Sequence, residues 1–67
     1  MEKFSSTDEI LDYAINAEQE AINFYSNLYN HTSSESMKIA YREFIVEEKS
    51  HRDKLQTLKD EGSLSGI

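Results

Sequence analysis

The chain predicts an all-α protein: an antiparallel hairpin of two long helices that pairs with a second copy to make a four-helix bundle. Three observations predict it. Proline is absent and both glycines, Gly62 and Gly66, fall at the C-terminal end, so nothing before Gly62 strongly breaks a helix. Apolar residues recur at alternating steps of three and four through two segments, separated by the small polar run "NHTSSES". A chain of 67 residues also buries too little surface to be comfortably stable alone, so assembly or a bound metal has to compensate.

The first helix is expected over about residues 6–30. Ser6 and Glu9 make a capping box, and Asp8 and Glu9 place negative charge on the first turn. Residues of about 31–33 form the turn, because small polar side chains there compete with the backbone for hydrogen bonds. The second helix is expected over about 34–61, capped by Ser33 or Ser34, with Gly62 supplying a left-handed residue beyond its end and 62–67 left as a short tail. All of 1–67 reads as one domain.

Composition excludes several function classes. Without cysteine there is no disulfide framework, no thiolate-held zinc or iron-sulfur centre and no thiol nucleophile. The net charge of -6 opposes non-specific binding to nucleic acid or anionic membrane and suits a protein that collects cations. No apolar run approaches the roughly 20 residues of a membrane span, and "MEKFSSTDEI" lacks the apolar core of a signal peptide, so the expected location is cytoplasmic.

The chemistry begins where the apolar seams are interrupted. Stepping back from Leu58 and Leu55, the second seam runs through His51, Glu48, Phe44, Tyr41 and Met37; the first runs through Leu11, Ala14, Glu18, Ala21, Tyr25 and Leu28. Each seam thus carries ionisable groups where leucines belong. Ile15, Ile22 and Ile45 widen the stripe and are expected to be core. With a turn centred near residue 32, residues whose numbers total about 64 lie side by side. Glu18 then faces residues near 46, within a helical turn of Glu48.

Burying an unpaired carboxylate costs several kcal/mol, so three ionisable groups in one layer need compensation, and a bound cation supplies it. Glu48 and His51, at i and i+3, project from one face, and Glu18 projects toward them. A two-fold pair of hairpins doubles the set to four Glu and two His. The alternative is a hairpin without metal, in which the same three residues form a buried hydrogen-bonded cluster that fixes register at some cost in stability.

The segments "INAEQEAINFYSNLY" and "REFIVEEKSHRDKL" resemble the ferritin-like superfamily, and within it the rubrerythrins. The first carries a Glu-x-x-Ala-x-x-x-Tyr pattern at Glu18, Ala21 and Tyr25, and the second a Glu-x-x-His at Glu48 and His51. The resemblance covers nearly the whole chain but half of a usual rubrerythrin domain, which carries two such hairpins. It is therefore either a fragment of a longer chain or a half-length member that completes its site by dimerising, as encapsulated ferritins do. The cysteine-bearing rubredoxin-like domain of full rubrerythrins has no counterpart here.

The resemblance implies that Glu48 bridges or chelates iron, that His51 holds one iron through a ring nitrogen and that Glu18 is a terminal carboxylate. It further implies that Tyr25 donates its hydroxyl to a ligand carboxylate. Two irons per dimer are implied, with manganese or zinc as possible substitutes. The implied activity is oxidation of a di-iron centre by peroxide or dioxygen, as a peroxidase served by an external electron donor or as a ferroxidase. The alternatives are an encapsulated-ferritin-like storage cargo, to which the faint Gly-Ser-Leu likeness at residues 62–64 adds an encapsulin shell as partner, and a structural hairpin. Among the remaining polar residues, Tyr41 reads as core and His31 as a solvated turn residue. Glu20, Glu43 and Glu47 read as a solvated face, with Glu20 and Glu47 placed to admit iron if it passes through.

Overall fold

The structure is a computed structural model and describes residues 6–65, with the side chains of residues 6–62. Two helices account for nearly all of it: α1, Thr7–His31, and α2, Glu35–Ser65, packed against each other along their length with no strand among the described residues. No helix among these residues is long and apolar enough to cross a membrane.

The start of α1 follows from its cap. Ser6 is extended and its side chain accepts a hydrogen bond from the Glu9 backbone N–H at 3.2 Å, satisfying one of the donors a helix leaves orphaned. At the other end α1 runs one residue beyond the expected boundary, through His31. The His31 Nδ1–H donates to the Asn27 carbonyl at 2.7 Å and the Thr32 backbone N–H to the Leu28 carbonyl at 3.0 Å, so the last turn of α1 carries one side-chain and one backbone bond at its end.

The turn is consequently Thr32–Ser34, centred on Ser33, and Ser34 caps α2: its hydroxyl accepts from the Met37 N–H at 3.3 Å and its carbonyl from Lys38 N–H at 3.0 Å. The C-terminus of α2 departs from expectation. Gly62 stays helical with no positive φ, and the helix continues to Ser65, so the expected stop at Glu61 and the left-handed glycine are not found. One helical glycine costs only about 1 kcal/mol, and no proline follows to enforce an end. Residues 62–65 of the expected tail, including the Gly-Ser-Leu stretch, therefore belong to α2, while Gly66 and Ile67 lie outside the described residues.

Moving the turn centre from 32 to 33 changes the register. Tyr25 stacks on Tyr41 with ring centroids 6.4 Å apart, and their numbers total 66, the total shared by Glu18 and Glu48. Glu18 therefore stands level with Glu48 itself, where the expected register put it opposite residue 46.

The seams also divide. On α2 the half-buried side chains include Tyr41, Ile45, Glu48, Arg52, Leu55 and Lys59, whereas Met37, Phe44, His51 and Leu58 remain more exposed. A single neighbouring helix covers only part of an apolar stripe upward of 100° wide. Ile22 alone, at 5% exposure, counts as buried among the described residues, and Ile15 and Ile45 are half-buried around it.

Candidate metal centre

Midway along the hairpin, α1 projects Glu18 and α2 projects Glu48 and His51 into one layer. Glu48 and His51 share a face because they are separated by three residues, close to one helical turn. One oxygen of each carboxylate and a ring nitrogen of His51 lie within 4.8 Å of one another. His51 Nδ1 is 3.8 Å from Glu18 Oε2 and 3.7 Å from Glu48 Oε1, beyond hydrogen-bond range in both cases. The carboxylate side chains are 23% exposed and the imidazole 50%, so the cluster lies on an open flank of the hairpin.

Electrostatics single out Glu48. Its carboxyl is held above the ordinary carboxylate value, first by a hydrogen bond shared with Glu18, then by partial burial and by the Glu18 charge, with His51 opposing. The Glu18 Oε2 atom is buried and has no hydrogen-bond partner. An orphaned buried carboxylate oxygen facing a second carboxylate and an imidazole fits a cation. Donors that share an ion at about 2.1 Å stand about 3–4 Å apart, the spacing of His51 Nδ1 from each carboxylate. Oxygen and nitrogen donors without thiolate suit iron or manganese. Three protein donors cannot complete an octahedral shell.

Tyr25 stands two helical turns from Glu18, toward the hairpin's turn. Its ring packs edge-on against Phe24 at 5.5 Å, tilted against Phe44 at 5.1 Å and stacked on Tyr41, closing that side of the centre with aromatic surface. Tyr41 is half-buried in this cluster, in keeping with a core reading, and Glu20, Glu43 and Glu47 are exposed.

Sequence reasoning missed the flank opposite His51. There Arg52 donates to Gln19 Oε1 at 2.8 Å, Lys59 pairs with Asp12, and Arg42 donates to the Tyr29 hydroxyl at 3.1 Å. The residue numbers of each pair total 71, so one register sets all three contacts. The available signal was the seven-residue spacing of Asp12 from Gln19 and of Arg52 from Lys59. The Arg42 guanidinium also lowers the Tyr29 hydroxyl below its usual value through this hydrogen bond and its charge.

Neither characterised proteins nor solved structures gave a match to the chain. A family model described as Rubrerythrin matches residues 9–65, a span that contains both helices and all three clustered donors. With two packed helices, a carboxylate and histidine cluster at their midpoint and a match over nearly its whole length, the chain belongs to the rubrerythrin family of ferritin-like helical proteins.

Proposed function

We propose that this protein binds iron through Glu18, Glu48 and His51 and that two copies share one two-iron centre, with four Glu and two His in the middle of a four-helix bundle. The observation that carries this reading is the buried, unpartnered Glu18 Oε2 beside Glu48 and His51. A purely structural cluster would use that oxygen in a hydrogen bond. When bound, a pair of ferrous ions supplies two electrons to dioxygen or hydrogen peroxide.

The chain's own residues do the rest. Glu18 and Glu48 each offer a carboxylate to the cation, and the raised Glu48 carboxyl makes binding proton-linked, since a ligand carboxyl must be deprotonated to hold the ion. His51 supplies a ring-nitrogen donor from the open flank. Tyr25 contributes its hydroxyl to a ligand carboxylate and, with Phe44 and Tyr41, keeps water from the turn side. The activity is peroxidase if an external donor reduces the iron in place and ferroxidase if ferric iron leaves. A cysteine-free chain that handles ferrous iron suits the reducing cytoplasm.

The test is anaerobic loading with Fe(II) followed by peroxide or air, with iron oxidation and retention followed together. Oxidation faster than in buffer, with iron retained and re-reduced by an added donor, supports the peroxidase; fast oxidation with release supports the ferroxidase. A chain that takes up no Fe(II) and leaves the oxidation rate unchanged contradicts both.

A further inference from the structure

The flank opposite His51 breaks the pattern of an otherwise acidic chain. We propose that Lys38, Arg42, Lys49 and Arg52 form a docking strip for an acidic one-electron carrier protein, which reduces the metal centre through the thickness of the hairpin. The strip deepens the iron reading above, on which its role rests, by giving the peroxidase an entry point for electrons.

The net charge of -6 is unevenly spread. α1 contains no Lys or Arg, and the six among the described residues all stand on α2. At 100° per residue, Lys38, Arg42, Lys49 and Arg52 share an arc of about 80°, while Glu43 and Glu47 project from the other side of the helix. Across the flank from that arc α1 presents Gln19, Asn23, Ser26 and Asn30, all uncharged, at steps of four, three and four. Arg52 donates to Gln19 Oε1 at 2.8 Å and Gln19 Nε2 donates to Asn23 Oδ1 at 3.1 Å, so the two rows form one surface. Glu35 and Asp53, the latter 3.3 Å from the Arg52 guanidinium, bound the strip at its two ends.

Two of the cations are held in place. Lys38 Nζ and the Arg42 guanidinium each lie 5.7 Å from the centre of the Tyr29 ring, and Arg42 donates to the Tyr29 hydroxyl at 3.1 Å. Attraction to the ring face keeps on the flank two long side chains that would otherwise swing free. The strip runs for about 21 Å along α2. That is too long for a small reductant and suits one side of the small, weak interfaces that electron-transfer partners make. An acidic carrier is drawn to the strip and repelled by the rest of the chain, which steers it into one orientation. An extended polyanion such as nucleic acid would instead meet Glu35 and Asp53 at the ends of the strip and further carboxylates at the open end beyond it.

Position decides what the carrier does there. The midpoint of the strip is Ile45, within one helical turn, or about 4.5 Å along the axis, of Glu48. The two flanks are separated by the thinnest dimension of the hairpin, 13 Å, so a carrier on the strip stands one helix layer behind the centre. The strip also stays open when a second copy covers the His51 side. Each encounter oxidises one reduced carrier and turns one ferric ion ferrous. Two encounters restore the ferrous pair, whose two electrons, with two protons from solvent, cleave the O–O bond of hydrogen peroxide and leave two waters.

Two substitutions of equal charge separate the strip from net charge, because Lys49 lies in it and Lys54 stands about 140° away around α2. The probe is a plant-type ferredoxin, an acidic one-electron carrier. Titrated in its oxidised form into isotope-labelled, metal-free protein, it is expected to shift the amide signals of Lys38, Arg42, Lys49 and Arg52, and to lose that effect at about 0.5 M salt. Lys49→Glu should weaken binding by about tenfold and slow reduction of the ferric protein by reduced ferredoxin to match, whereas Lys54→Glu should change either by less than about twofold. Circular dichroism should find both variants fully helical, and the shift map of the unmodified chain needs no substitution at all. Shifts confined to the His51 side, or equal losses in the two variants, would overturn the strip. So would a short DNA duplex that shifts the same amides more strongly than ferredoxin, which would make the strip a nucleic-acid surface. Iron is counted separately, so protein that loads iron but shows no shifts on the strip loses this docking surface and keeps the iron reading. Protein that shows the shifts but takes up no iron loses the iron reading and the electron delivery with it.

Discussion

His51 Nδ1 on α2 lies 3.8 Å from Glu18 Oε2 on α1, too far for a hydrogen bond and close enough for one ion to touch both atoms. The pair joins the two helices at their midpoint, and the stability of the chain is bound up with what occupies that layer.

The metal-free protein is expected to lose stability as pH rises from acid toward neutral. Glu48 has a raised carboxyl pKa in the folded state, chiefly through its hydrogen bond with Glu18. A group raised on folding contributes fully below the unfolded value of about 4.3 and loses that contribution as pH climbs through the folded value. Urea midpoints of chelated protein between pH 4 and 8 check this. Glu48→Gln, which cannot titrate, should flatten the profile, and an equally steep decline in that variant would remove Glu48 as its source.

Ile22→Ala should unfold the metal-free chain. Truncating a buried isoleucine costs about 2–5 kcal/mol, comparable with the roughly 3–5 kcal/mol that a core of this size supplies. Excess Fe(II) or Mn(II), binding only the folded state, should restore part of the helical signal under anaerobic conditions. Circular dichroism with and without metal measures both effects, and full helicity in the metal-free variant would show that the core lies elsewhere.

Arg52→Ala should lower stability by about 1 kcal/mol, because it removes the cross-helix hydrogen bond to Gln19 on a partly exposed flank. Iron stoichiometry should not change, since Arg52 closes the side of the hairpin away from His51. A variant that stays folded but loses iron would reassign Arg52 to the centre.

The start of α1 and the composition of the cluster were legible in the sequence, because a capping serine and interruptions of an apolar seam are local signals. Two features were not. The register was displaced by two because His31 extends α1 through a bond to Asn27, which shifts the turn centre by one residue. The seam was read as one stripe, although Tyr41, Ile45 and Glu48 are half-buried while Phe44 and His51, which also touch α1, lie at its exposed edge. Periodicity locates a wide apolar arc but not which neighbour covers each edge of it. The Gly62 stop failed because glycine permits a helix end without requiring one.

The central claim is tested most directly by counting iron per chain after anaerobic Fe(II) loading and desalting, with Glu48→Ala prepared alongside. About one iron per chain is expected in the parent, the ratio of a two-metal site shared by two hairpins. The variant should hold none while remaining a helical dimer, because the substitution removes a ligand and a half-buried charge together. Iron absent from the parent, or retained equally by Glu48→Ala, would contradict a metal centre built on Glu18, Glu48 and His51.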